Sequence, residues 1–327
     1  MRTVLFVLLA SVLATSSVSA RDFRSADIYS AEHPSVRAVR YMADDLRQRS
    51  NGRLSIGDVG EDSDFTESLT VSKLRIGALD MARVNLGSVA NLVPEAIAPT
   101  LPAMFASDAH VRKVLDGPVG DQILTALGRV DLIGLCFYDG GARSFISTNT
   151  PIRTLSDLAG MRVRVRARGP WAAMLEAMGA KPRMISLMQA HTALLMGVVD
   201  ADEADPATFM TGHLARVAKV YSRTEHARSI SVVVFSKSVW NMLAVEDQRL
   251  IREAAMACVD HHRRMRANYE SDAHESFRAA GVRLIEDVDR SSFAKALRLL
   301  RARYVTDPSA LEIAAKIRAA DTELAKE

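Results

Sequence analysis

The stretch LAGMRVRVRARGPWAAMLEAMGAKP, Leu158 to Pro182, carries the reading of the fold. From Met161 to about Arg166 apolar and charged residues alternate, the period-2 pattern of a β-strand. Gly169-Pro170 then opens a helical pattern, Trp171 to Met178, and a short strand follows at Arg183 to Ile185. Strand, helix, strand is the building unit of an α/β protein. The same stretch spaces Arg162, Arg164, Arg166 and Arg168 by two. One unbroken strand would set four guanidiniums on one face, where they repel unless water or an anion separates them. What they face is a question about function.

Working outward, the alternation of strand and helix continues through the chain. Phe23 to Ser30 reads as a strand. His33-Pro34 opens a helix with Val36, Val39, Met42, Ala43 and Leu46 on one face, stopped by Asn51-Gly52. Arg53 to Val59 and Leu79 to Val84 read as strands around a helix, Thr66 to Ile76. Leu132 to Tyr138 and Arg143 to Thr148 are read as two strands separated by Gly140-Gly141; Arg216 to Ser222 and Ile230 to Ser236 are two more. From Val245 to about Ala280 nothing breaks a helical pattern, which at 1.5 Å per residue makes a rod of about 50 Å, long enough to bridge two domains. The expected fold is α/β, with two domains, a long interdomain helix and a central ligand cleft. The expected division is 21–140 with 229–268, and 141–228 with 269–327, joined by strand hinges near Gly140 and Ile230.

The first 20 residues, MRTVLFVLLASVLATSSVSA, read as a secretory signal peptide cleaved before Arg21, so the mature protein is expected outside the cytoplasm and soluble. The apolar run is shorter than the roughly 20 residues a membrane span needs. Formal net charge is +3 without a long basic block, which argues against a nucleic-acid partner. Aromatics at 6% are too few for an aromatic-lined carbohydrate surface. Cys136 and Cys258 lack CxxC spacing or a nearby His; a disulfide and two buried thiols both remain open.

The chain has no GxSxG, HExxH, GxxxxGK[ST] or GxGxxG, so no nucleophile, metalloprotease or nucleotide motif points to catalysis. No cofactor or metal is expected. Asp200, Asp202, Glu203 and Asp205 resemble a metal loop, but Pro206 and the spacing fail the calcium pattern. His261-His262, followed by Arg263-Arg264, reads as a solvated helix face. Arg164, between Val163 and Val165, is either a buried structural ion pair or a ligand contact. Arginine suits a carboxylate because its planar fork donates two parallel hydrogen bonds.

The HP start of the first helix, SNGRLSI, LRIGALDMARVN, LPAMF, VLDGPVG, GGARSFISTNTPIRTLSDLAGMRVRV, MGAKP and GVVDADEADP occur in an order that resembles the solute-binding proteins of tripartite ATP-independent periplasmic (TRAP) transporters. The resemblance implies a periplasmic receptor, not an enzyme, that closes around an organic acid and hands it to membrane permease subunits, acting as a monomer. It implies that Arg164 holds the carboxylate, that Arg143 assists, and that Glu67 faces the ligand. In place of the family's DGxEN loop this chain has Ala201 for Gly and Ala204 for Asn, and Asp205 is the candidate replacement contact. Glu67 would read hydroxyls and repel a second carboxylate, which favours a sugar acid such as a hexuronate. A periplasmic enzyme or a sensor receptor on the same scaffold is the alternative.

Overall fold

The computed structural model describes residues 20–321 except 58, 59, 62–65 and 166–168. The proposed signal peptide, apart from Ala20, and Arg166 and Arg168 of the opening row lie outside the described residues. A mixed sheet of nine strands organises the chain: β1 (Ser25–Asp27), β2 (Gly60–Glu61), β3 (Met81–Asn85), β4 (Leu132–Ser147), β5 (Arg162–Val165), β6 (Lys181–Met184), β7 (Ala201–Ala204), β8 (Val220–Ser236) and β9 (Arg283–Ile285). Their order is β2-β1-β3-β8-β4-β7-β5-β6, with β9 also pairing β8.

The strands β4 and β8, 16 and 17 residues long, run antiparallel through the whole molecule, from Leu132 opposite Ser236 to Ser147 opposite Val220. This corrects the reading of four separate strands: Gly140-Gly141 does not end β4. The pairing slips between Arg228 and Ile230, opposite those two glycines. Gly140 lies so close to β8 that an added Cβ would be 2.9 Å from Ser229 Cβ, and Gly141 has φ +90°. The glycines therefore mark a bulge within a continuous strand, where close approach and positive φ exclude a side chain.

The two ends of β4 and β8 serve two lobes. In the first, Val84, Ile230, Val232 and Val234 join one core, and Cys136, Val233 and Cys258 join another on the opposite side of the sheet. In the second, Phe145, Val163 and Met174 form one core and Ile146, Phe209, Tyr221 and Phe277 form another. Five helices matter for the site and the hinge: α1 (Pro34–Arg49), α2 (Glu67–Arg75), α3 (Pro170–Ala177), α4 (Pro206–Thr211) and α5 (Val245–Ser271). The long helix ends earlier than expected, at Ser271, and a separate short helix, Ala273–Ala279, carries Phe277 into the second lobe. Since α5 buries Ile251, Ala254 and Cys258 in the first lobe, it still links the two.

The last helix, α6 (Pro308–Ala320), buries Ala310, Ile313, Ala314 and Ile317 against Ala98, Val111 and Val114. It packs on the first lobe, whereas the expected division gave 269–327 to the second. Its apolar stripe alone could not reveal which lobe it would cover. Both cysteines are free thiols buried in one core, with Tyr138 Oη 2.9 Å from Cys258 Sγ. His262 is buried, not solvated: its ring stacks on Tyr138 at 4.4 Å, and burial together with nearby Arg266 depresses its pKa to about 3. No described helix is long and apolar enough to cross a membrane.

Candidate functional site

A cavity of about 220 Å³ lies between the lobes. The first lobe contributes Glu67, Asn85, Ser88 and Asn91; the second contributes Arg143, Arg164, Trp171 and Glu203. The walls are close: a Cβ added at Gly87 would sit 3.3 Å from Trp171 Nε1.

Glu67 is the first residue of α2, where the positive end of the helix favours a carboxylate. Its Oε1 accepts from the Asn85 backbone N–H at 2.9 Å and from Arg83 NH1 at 3.3 Å, and its Oε2 accepts from Ser88 Oγ at 2.9 Å. Arg83, 1% exposed, is in turn held by Asp27, with Nε donating at 2.8 Å. An anion is thus fixed at one wall of the cavity, with its counter-charge buried behind it.

The opposite wall presents two guanidiniums, each paired with a buried carboxylate. Arg164 on β5 is 1% exposed; its Nε donates to Asp202 Oδ2 at 2.7 Å and its NH1 to Ile185 O at 3.2 Å. Of the two readings the sequence left open for Arg164, the structure combines the geometry of both: a buried ion pair that also lines the cavity. Arg143 on β4 donates from NH2 to the Glu203 carbonyl at 2.8 Å and from NH1 to Ser229 Oγ at 3.1 Å. Its guanidinium carbon is 5.4 Å from the Trp171 ring centroid, within cation–π range.

Three of the four site residues read from the sequence, Arg164, Arg143 and Glu67, line one cavity. Asp205 does not line it, and this corrects its reading as a replacement ligand contact. It is the N-cap of α4: Oδ1 accepts from the Thr208 N–H at 2.8 Å, and Oδ2 accepts from Thr208 Oγ1 and Ser229 Oγ, both at 2.9 Å. Pro206 at the first helical position fixes that role.

The family model for bacterial extracellular solute-binding protein, family 7, matches residues 25–307. The chain belongs to this family. A TRAP periplasmic solute-binding protein from Xanthobacter autotrophicus Py2, solved with bound β-D-galacturonate, is 36% identical over 91% of this chain and all of its own, with a TM-score of 0.88. Another, from Pseudomonas putida F1 with bound D-glucuronate, is 31% identical over 92% of this chain and 97% of its own, with a TM-score of 0.86. The 2,3-diketo-L-gulonate-binding periplasmic protein YiaO of Escherichia coli K12 is 27% identical over 90% of this chain and 89% of its own. This protein is therefore a TRAP solute-binding protein, with two lobes and a cleft between them.

Sequence reasoning missed the receptor's Glu203, Asp202, Asn85 and Trp171. Glu203, 5% exposed, lies with Oε1 3.3 Å from Arg143 NH2 and Oε2 2.8 Å from His226 Nε2. The signal was present in the acidic run rejected as a metal loop. Its four carboxylates take separate partners: Asp200 pairs Arg162, Asp202 pairs Arg164, Glu203 meets Arg143, and Asp205 caps α4. Since β5 and β7 are parallel neighbours with Val163 opposite Ala201, the period-2 arginines meet period-2 aspartates. Among the described residues no group of His, Cys, Asp or Glu is arranged to hold a metal ion.

Burial alone would raise the Glu203 carboxyl, but the Arg143 charge and the His226 hydrogen bond outweigh it and hold the pKa at about 2, below the ordinary 4.5. A depressed carboxyl contributes stability that is present above about pH 4.5 and lost as pH falls toward 2. Melting of the parent and Glu203→Gln is therefore expected to differ most near neutral pH, with the gap narrowing below about pH 4.5 and closing only as pH approaches about 2, where the folded parent protonates. A gap independent of pH across that window contradicts the assignment.

Proposed function

We propose that the receptor captures a sugar acid with one carboxylate, a hexuronate such as D-galacturonate or D-glucuronate, and delivers it to membrane permease subunits. The observation that carries this reading is the polarity of the cavity, with Arg164 and Arg143 on one wall and Glu67 on the other. The two guanidiniums take the ligand carboxylate. Glu67 and Asn85 take ring hydroxyls, since the three bonds found at Glu67 leave acceptor capacity on a group with about four acceptor sites. Trp171 offers an apolar face to the ring.

The position of Glu67 and the absence, among the described residues, of any surplus cation around the cavity argue against a second ligand carboxylate. Around the cavity Arg83, Arg143 and Arg164 stand against Asp27, Glu67, Asp202 and Glu203. A second ligand carboxylate reaching across the cavity would meet Glu67 and be repelled. The bound galacturonate and glucuronate of the two similar structures agree with this polarity.

The acid favours the closed state by touching both lobes, which pivot about the bulged region of β4 and β8 near Gly140 and Ile230. The protein acts as a monomeric receptor without bond-making chemistry, in the periplasm, after loss of residues 1–20. Titration calorimetry with D-galacturonate, D-glucuronate and succinate tests this reading, with scattering to follow compaction. A uronate is expected to bind in the micromolar range, about 8 kcal/mol, with a smaller radius of gyration when bound. Glu67→Gln is expected to weaken the uronate more than a simple monocarboxylate. Succinate binding tighter than both uronates, or equal losses for all ligands in Glu67→Gln, sinks the assignment.

A further inference from the structure

Asp205 lies outside the cavity wall but is joined to it by hydrogen bonds whose directions can be assigned. The backbone N–H of Ser35 donates to His33 Nδ1 at 3.1 Å, so that nitrogen is an acceptor and the ring hydrogen sits on Nε2. His33 Nε2 is 3.3 Å from Thr208 Oγ1, which accepts from it. Thr208 Oγ1 then donates its own hydrogen to Asp205 Oδ2 at 2.9 Å. From the other side, Arg143 NH1 donates to Ser229 Oγ at 3.1 Å, and Ser229 Oγ donates to the same Asp205 Oδ2 at 2.9 Å. Both arms point their hydrogens at one carboxylate oxygen.

The two arms begin in different lobes. His33 caps α1, whose Val36, Val39 and Met42 lie in a first-lobe core. Thr208 lies on α4, next to Phe209 in a second-lobe core. Beside them Ser30 Oγ donates to the Thr211 carbonyl at 3.3 Å, a second contact between the same two segments. Asp205 is 1% exposed, Thr208 2% and Ser229 4%, so water does not compete for these bonds.

We propose that Asp205 is a positioning residue: through Thr208 and Ser229 it couples the lobe-to-lobe contact at His33 to the orientation of the Arg143 guanidinium. Asp205 touches no ligand. It fixes the Ser229 hydroxyl as an acceptor toward Arg143, because the Ser229 hydrogen is committed to the carboxylate. A movement of α4 away from the His33 loop removes the donor to Thr208 Oγ1, and without that polarising bond the hydroxyl donates more weakly to Asp205 Oδ2. The coupling rests on the proposed carboxylate-binding role of Arg143.

The test uses Thr208→Val, which removes the hydroxyl but keeps the shape and the backbone N–H that Asp205 caps. With D-galacturonate and D-glucuronate as probes, its affinity is expected to fall roughly three- to ten-fold, the net worth of a buried hydrogen bond. Thr208→Ser, which keeps the hydroxyl, is expected to bind like the parent. Asp205→Asn, which places an amide donor among these donors, provides a second variant if Thr208→Val does not fold. A purely structural role would lower the melting temperature of Thr208→Val and leave affinity unchanged, and that result overturns the proposal. Side-chain NMR of the Arg143 guanidinium in the ligand-free protein gives a readout that needs no uronate. Hindered rotation in the parent and in Thr208→Ser, lost in Thr208→Val, supports the coupling; identical rotation in all three overturns it. Failure of the parent to bind either uronate would instead count against the proposed function, with the NMR comparison still deciding the coupling.

Discussion

Calorimetry on Arg164→Ala is expected to find no measurable uronate binding, and the loss has two separable sources. The first is the ligand: truncating one member of a buried, hydrogen-bonded charge pair costs roughly 2–5 kcal/mol, enough to remove most of a micromolar affinity. The second is the protein itself. Asp202, fully buried, receives the Arg164 Nε hydrogen bond, and its other oxygen accepts the Glu203 backbone N–H at 2.8 Å. Without Arg164 that carboxylate loses its counter-charge, a further cost of about 3–5 kcal/mol in folding stability. A lower melting temperature is thus expected together with lost binding. The double variant Arg164→Ala, Asp202→Asn removes the stranded charge, so it is expected to recover much of the melting temperature and none of the binding. Affinity within a factor of a few of the parent in the single variant rules out Arg164 as the carboxylate anchor. Recovery of binding in the double variant would mean that only folding had been lost.

The pair also shows how far the site could be read from sequence. The alternation from Met161 to about Arg166 predicted a strand, and β5 forms over Arg162–Val165. Their partners lie in the acidic run near Asp200, and only the parallel pairing of β5 with β7 brings the two series together. A single sequence shows each period but not the register between them. Glu203 was hidden for the same reason: its environment comes from Arg143 on β4 and His226 on β8, distant in sequence. Asp205, by contrast, had a local signal. An aspartate before a proline and a short apolar helix is a cap, and local hydrogen bonds account for both of its oxygens, apart from the one from Ser229.

The strands were legible as strands, but their continuity was not. Gly140-Gly141 is a chain break in most sequence contexts, and here it is a bulge because β8 approaches closely enough to exclude a side chain. The same distinction explains α6. Its apolar stripe announces a helix that must cover something, yet the surface it covers, around Ala98 and Val111, lies in the other half of the chain from its neighbours in sequence.

Arg83→Met is expected to be the most damaging single change to the fold of the first lobe. Arg83 lay inside the LRIGALDMARVN stretch, yet its spacing on a strand did not separate it from a solvated residue. In the structure both its side chain and that of Asp27 are fully buried, and burial alone would lower the guanidinium pKa. The Asp27 carboxylate outweighs burial, so the pKa stands above its ordinary value. Besides its bonds to Asp27, the guanidinium reaches Glu67 at 3.3 Å and Ser231 Oγ at 3.4 Å, and its carbon lies 4.3 Å from the Tyr29 ring centroid. Methionine keeps some of the volume and none of the charge. Two carboxylates, Asp27 and Glu67, then share a site with no buried cation between them. The expected loss is about 3–5 kcal/mol, or on the order of 10 °C in melting temperature for a chain of this size. Adding Asp27→Asn is expected to restore part of that loss, because the fully buried anion is the larger share of it. Uronate affinity should also fall in Arg83→Met, since Glu67 loses one of the bonds that fix its oxygen toward the cavity. Melting like the parent in the single variant would mean that water reaches Asp27 and replaces the guanidinium; the buried pair would then be no part of what holds the ligand-facing wall in place.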